Sequence, residues 1–524
     1  MKRGAGDSGP PDGAARARLG PAAVAAAAPS AMKFRRVRVV RSAKDTGERL
    51  ADAGSLALGA DESRGAQSAS VYVCPSALGS KAFLGFGGSF TEASAVVLQK
   101  MGKERQEEVL RAYFDPKHGI GYELGRIPIA SCDFGLGNWT CGDLQDGDVD
   151  LKNFSIEHYK EAILPLCQRA AAVKGGPMTM LASPWSPPPW MKTKPIFNGD
   201  AHLRPECGAA WALHFVKFVQ AMAAVGVPIW AVSVQNEPEA AQLWESCIYT
   251  AAEEAAFVRD HLGPTLAKSG LGDVKIVIWD HNRDGMLERA QVAYADPEAA
   301  KYIWGVAYHW YGDCRFESWP DRCQAWYPDR QQGFAPIFEL KGRLGLDNVR
   351  RVAELAPEKH ILFSEGCQEL SGVPLDAIKG EWKFGERYAM NIIADINNGC
   401  EGWIDWNLFL DERGGPNHVD NNCLAPVIYD REKQEVTYTP PYWVLGHFSR
   451  HIRPGARRVL CSTSRDALEV TAWANADDSV AVVVLNQSSS HMVVQLKVAG
   501  NGTSPMKFVP LEVHPSSIMT VIIN

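Results

Sequence analysis

The sequence predicts an α/β fold: a (β/α)8 TIM barrel with an attached antiparallel β-sandwich domain. Three observations lead there. From Lys81 to Phe409, short apolar runs alternate with longer helical patterns, the signature of βα units around a parallel sheet. After about Trp443 the helical patterns give way to short alternating or apolar runs separated by turn residues, which reads as antiparallel sheet. The chain has 524 residues, enough for a barrel of ~250 residues or more and one further domain.

Taken in order, residues 1–32 are rich in Ala, Gly, Pro and Arg and are set aside as a disordered or targeting segment. Residues 33–80 hold two strand candidates, 36–41 and 70–74, too few to fold alone and so expected to join the C-terminal sheet. The barrel is assigned to 81–442, with eight strand candidates at 82–87, 122–130, 178–183, 229–235, 275–279, 305–309, 360–364 and 402–406. Helices are expected at 103–113, 156–173, 209–224, 251–269 and 381–397, and the sandwich at 443–524. Eight strands with crossovers favour closure, which leaves no parallel edge exposed. The alternative, an open doubly wound sheet, would call for a dinucleotide fingerprint. The turn with Gly85, Gly87 and Gly88 lacks its spacing.

Composition narrows the function. A formal net charge of -7 argues against a nucleic-acid partner, and no apolar run is long enough to span a bilayer. The 16 Trp residues suit sugar faces, although Trp is also a good core residue. The 12 Cys residues form no zinc pattern. Cys132 with Cys141, and Cys314 with Cys323, are close enough in sequence to be local disulfides or separate thiols. Sequons at Asn138, Asn153, Asn486 and Asn501 permit N-glycosylation on a secretory route.

Chemistry in a barrel of this kind gathers at the C-terminal strand ends. Two carboxylates stand there, Glu237 after the fourth strand and Glu365 after the seventh, beside Asn, Trp, His and Tyr residues. Retaining glycoside hydrolysis needs two carboxyl groups ~5 Å apart, one as nucleophile and one as acid and then base. The charge on one is expected to raise the pKa of the other. Forming the glycosyl ester would then let the acid's pKa fall so that it can act as a base. No metal and no cofactor is needed for this. Either Glu alone could instead be a surface helix-cap residue.

Asn236-Glu237-Pro238 ending one strand, with a Glu ending another three strands on, resembles the large clan of (β/α)8 glycosidases. Gly85-Phe86-Gly87-Gly88-Ser89-Phe90, Arg126-Ile127-Pro128, Ala182-Ser183-Pro184-Trp185 and Tyr308-His309-Trp310-Tyr311 resemble glycoside hydrolase family 30. Asp405-Trp406-Asn407-Leu408 and Leu445-Gly446-His447-Phe448-Ser449 are similar to its glucosylceramidase branch. The resemblance implies Glu365 as nucleophile and Glu237 as general acid/base. It implies Asn236 at the sugar 2-hydroxyl, Arg126 orienting Glu365 and holding it ionised, and Asp133 on the outer hydroxyls. Trp185 and Trp406 would wall the ring, His309 and Tyr311 would line the site near the nucleophile, and Asn421 would stand at the entrance. Gln235, His418 and a long loop at 312–332 depart from the glucosylceramidase pattern.

The expected substrate is β-glucosylceramide, with a β-1,6-glucan or another glycan as the alternative. A non-catalytic carbohydrate- or lipid-binding protein is the rival from a different class. An anionic membrane surface, a saposin-type activator and a lysosomal or secretory location follow from the resemblance as expectations.

Overall fold

The computed structural model describes residues 34–60, 69–142, 146–311, 344–370, 372–500 and 505–524. The first 32 residues, the 312–332 loop with Cys314 and Cys323, and the sequon at Asn501 lie outside the described residues.

Eight parallel strands close into a barrel. In chain order they are Gly85–Ser89, Leu124–Ile129, Thr179–Pro184, Ile229–Ser233, Lys275–Asn282, Ile303–His309, His360–Glu365 and Gly402–Asn407. The ring is completed where Gly402–Asn407 pairs with Gly85–Ser89. Its interior is packed by Leu124, Leu181, Val277, Leu362 and Ile404, all buried, so the barrel is a core and not a pore. Glycine is required where strands approach closely. A Cβ on Gly305 would lie 2.1 Å from the carbonyl oxygen of His360, and one on Gly87 2.0 Å from that of Leu124.

Several boundaries moved. The first barrel strand starts at Gly85, because Ala82 ends a long strand, Ala69–Ala82, that belongs to the other sheet. The helix expected at 156–173 is interrupted at Ala162 (φ -140°, ψ -46°), which gives Glu157–Glu161 and Ile163–Lys174. The helix at 251–269 contains a wider π turn over Val258–Leu262.

The second layer is a β-sandwich. Among the described residues nine strands hydrogen-bond in one continuous sheet. Arg36–Ala43, Ala51–Ala57 and Ala69–Ala82 join six strands from the C-terminal region. Val37, Val71, Val482, Leu496, Leu511 and Val521 share a single buried cluster. Strands far apart in the sheet order therefore face one another. Buried His447 ties barrel to sandwich, its ring lying 3.0 Å from Thr520 Oγ1 and 2.9 Å from Ser42 Oγ.

Cys132 and Cys141 are buried thiols and are not joined to each other. Asn486 is fully buried and donates its amide to the carbonyls of Ser490 and His514 at 2.9 and 2.8 Å. The folded protein therefore leaves no room for a glycan on it, whereas Asn153 is exposed.

Candidate active site

At the C-terminal mouth of the barrel a cavity of about 300 Å³ is lined by Asp133, Trp185, Asn236, Glu237, Glu365 and Trp406, with Tyr311 and Asn421 also on its wall. Two of the sequence-predicted residues, Arg126 and His309, are completely buried behind these.

Two irregularities in the strands build the centre. Opposite the sixth strand, Trp279 pairs with Ala307 but His281 pairs with Tyr308, so Asp280 is an extra residue. Between the sixth and seventh strands Tyr308 pairs with Phe363 and His309 with Glu365, so Ser364 is extra in turn. Such bulges re-aim side chains at a barrel rim. Asp280 (φ 46°), Trp279 (φ 74°) and Glu237 (φ 49°) all occupy the left-handed region that non-glycine residues rarely adopt. The Glu237 amide donates to the Asp280 carbonyl at 2.9 Å, coupling the ends of the fourth and fifth strands. Backbone strain of this kind, of order 1–3 kcal/mol per residue, persists where the surroundings over-determine it.

Asp280 is the hub. Its carboxylate accepts from Arg126 Nη2 at 2.8 Å, Ser183 Oγ at 2.9 Å and Ser364 Oγ at 2.5 Å, and lies 3.0 Å from His309 Nε2. Burial opposes ionisation there, but Arg126 and His309 hold the carboxyl well below the usual range. Nothing in the sequence marks Asp280 for this place, because a bulge has no signature in composition or periodicity. Removing the carboxylate in Asp280→Ala strands a buried guanidinium between Glu365 and Asn236. The expected loss is about 3–5 kcal/mol of stability, read by denaturant unfolding; a loss under about 1 kcal/mol would mean that Asp280 is not the hub.

Arg126 presents one face to this network. Nη1 donates to Glu365 Oε2, Nη2 also donates to Asn236 Oδ1 at 2.6 Å, and Nε donates to Ser183 Oγ at 3.1 Å. Its guanidinium lies over the rings of Trp185 and Trp406, 4.7 and 5.5 Å from their centroids. These indoles stack 5.3 Å apart at 22°, which makes an aromatic wall beside the carboxylates. Asp133, opposite, accepts from Asn421 Nδ2 at 3.2 Å, and burial pushes its carboxyl well up. Tyr311 donates its hydroxyl to Cys367 Sγ at 3.3 Å. Trp190 is buried but does not line the cavity, and Trp310 is held away from it by a 3.1 Å bond to the Cys367 carbonyl.

The electrostatics depart from expectation in two respects. Glu237 faces two imidazoles, His309 Nδ1 at 3.4 Å and His281 Nδ1 at 3.5 Å, and accepts from Gln242 Nε2 at 3.3 Å. Burial opposes ionisation, yet the imidazoles outweigh it and lower the Glu237 pKa. The charge of Glu365 was expected to raise it. Burial pushes Glu365 up instead, with Glu237 and Asp280 adding to it, and His309 and Arg126 do not fully offset this. Arg126 divides its charge between Glu365 and Asp280, so it does not by itself hold Glu365 ionised. Gln242 went unnoticed in the sequence, as did Glu245, which lies 3.4 Å from His418.

His309 carries a further prediction. Burial would lower its pKa, but Glu365, Asp280 and Glu237 raise it from 6.5 to about 9. Its folded pKa thus exceeds its unfolded one, so the stabilisation is complete below about pH 6.5 and is lost as pH rises through about 9. The amount is about 3 kcal/mol. Unfolding free energies of the wild type and His309→Gln should therefore converge as pH rises from about 6 to about 10; a gap independent of pH would show that His309 is neutral in the fold.

The family model described as the glycosyl hydrolase family 30 TIM-barrel domain matches residues 83–331 and 346–452. That described as the glycosyl hydrolase family 30 beta sandwich domain matches 455–521. Lysosomal acid glucosylceramidase of Mus musculus is 35% identical over 415 residues, which is 77% of this chain and 75% of that one. The crystal structure of SrfJ from Salmonella typhimurium superposes with a TM-score of 0.81 at 31% identity, covering 93% of this chain and 99% of the other. The endo-beta1,6-glucanase BT3312 shares the fold, with a TM-score of 0.76 at 24% identity over 93% and 98% of the two chains.

Proposed function

The chain belongs to glycosyl hydrolase family 30 and is a glycoside hydrolase; from that premise we propose that it is a retaining β-glucosidase that cleaves β-glucosylceramide into glucose and ceramide. One observation carries the chemistry: Glu237 and Glu365 line the same small cavity, walled by Trp185 and Trp406. Glu365 attacks the anomeric carbon while Glu237 protonates the leaving oxygen. Water, activated by Glu237, then hydrolyses the glycosyl ester. Asn236 meets the 2-hydroxyl and Asp133 the outer hydroxyls. His309 Nδ1 faces Glu237 at 3.4 Å, so its imidazolium is placed to pass a proton to Glu237 as the sugar displaces water. Positive charge growing at the anomeric carbon favours the ionised form of Glu365 at the same moment.

The lipid reading rests on the rim. Leu243, 79% exposed, stands between Gln242 and Trp244, both of which line the cavity. Exposed Ile196 packs near Gly199, whose strand partner is Gln242. Exposed Leu136 is two residues from Asn138, which donates to Glu245 at 2.8 Å. Aliphatic side chains in water beside a sugar pocket suit a substrate whose leaving group is a lipid in a membrane surface. Among the described residues no helix is long and apolar enough to cross a membrane. An acidic lysosomal lumen, anionic lipid and a saposin-type activator fit this reading, as does the lysosomal relative.

Side-by-side hydrolysis near pH 5 of glucosylceramide dispersed with anionic lipid, and of a soluble β-1,6-glucan, tests the proposal. Turnover of the lipid is expected. Turnover of the glucan alone would keep the chemistry and overturn the substrate.

A further inference from the structure

In the sandwich, His491, Glu512 and His514 bring one ligand atom each to within 4.8 Å of one another. Strand register puts them there. Met492 pairs with Val513 and Val493 with Glu512, so His491 and His514 continue the antiparallel ladder as directly opposed residues, with Glu512 diagonal to His491. Alternation then turns all three to the same face. Exposed Val493 lies on that face, while Met492 and Val513, between them, pack into the core. The rings of His491 and His514 are 5.6 Å apart, and His491 Nε2 is 4.0 Å from Glu512 Oε2.

The backbone beneath is fixed. Buried Asn486 donates to the carbonyl of Ser490, next to His491, and to that of His514 itself. Ser517 Oγ donates to the same His514 carbonyl at 2.6 Å. One side chain thus clamps the two strand ends that carry the histidines, so little backbone ordering remains to be done on binding.

We propose that His491, Glu512 and His514 form a zinc site on the sandwich, separate from hydrolysis. Two imidazoles and one carboxylate are a donor set that Zn²⁺ takes with a water in the fourth position. Ligand bonds of ~2.0–2.2 Å require the three atoms to close in by about an ångström, within reach of side-chain rotation on a fixed ladder. Bound there, the ion cross-links the two strands at the edge of the nine-stranded sheet.

Titration calorimetry of the full chain with ZnCl₂ at neutral pH tests this, alongside the double variant His491→Ala/His514→Ala and the single variant Glu512→Gln. The wild type is expected to bind one equivalent with a Kd on the order of micromolar. The double variant should lose that equivalent and Glu512→Gln should bind about tenfold more weakly, with glycosidase activity and thermal unfolding without zinc unchanged in both. No binding by the wild type, or the same stoichiometry and affinity in the double variant, would overturn the site.

Discussion

Glu365→Gln should fold and bind sugar while losing about 10⁴-fold or more in kcat, which is ~5.5 kcal/mol of transition-state stabilisation. The amide keeps the shape of the side chain and can still accept from Arg126 through its oxygen, so the buried guanidinium retains Asp280, Asn236 and Ser183 as partners. What disappears is the nucleophile and its negative charge beside the developing oxocarbenium ion. The measurement is turnover of an aryl β-glucoside, with thermal unfolding as the check on fold. A variant with near-normal unfolding and undiminished turnover would remove Glu365 from the reaction. A loss of both would point to a structural role shared with Arg126.

Glu237→Ala should lose about 10²–10⁴-fold on substrates with poor leaving groups, the usual contribution of acid–base catalysis. With an activated aryl glucoside the first step needs no protonation, so the glycosyl-enzyme forms and waits for a base. Azide, an anion small enough to enter the space left by the carboxylate, should then restore turnover and yield the β-glucosyl azide. The stereochemistry is the decisive reading: an α-azide would mean single displacement and inversion. The same variant removes the partner of His281 and His309. The basic limb of its pH profile should therefore move to lower pH, because the His309 imidazolium loses a neighbouring negative charge that helps to raise its pKa.

The two carboxylates were legible in the sequence because each follows an apolar run at a position where a barrel strand must end, and Glu237 and Glu365 both line the cavity. Trp185, Asn236, Trp406 and Asp133 could be located for the same reason. In the sequence nothing sets Asp280 apart from its neighbours His281 and Asn282. Its place as hub depends on two bulges, which shift register by one residue without altering the apolar pattern around them. The strand Ala51–Ala57 could not be read at all. It is mostly exposed and has no alternation, and it is a strand because Arg36–Ala43 pairs with it.

The barrel, the sandwich and the strand ends where polar residues collect are legible in the chain alone. Those follow from hydrophobic period and turn residues, which act over a few neighbouring positions. How charge is shared among Arg126, Asp280, His309, Glu237 and Glu365 is set instead by the assembled fold. These residues come from five different strands, and their ionisation turns on separations of 2.8–3.4 Å and on burial. Coulomb energy at such distances changes steeply with small displacements and with dielectric, and neither is encoded in the local pattern of any one segment.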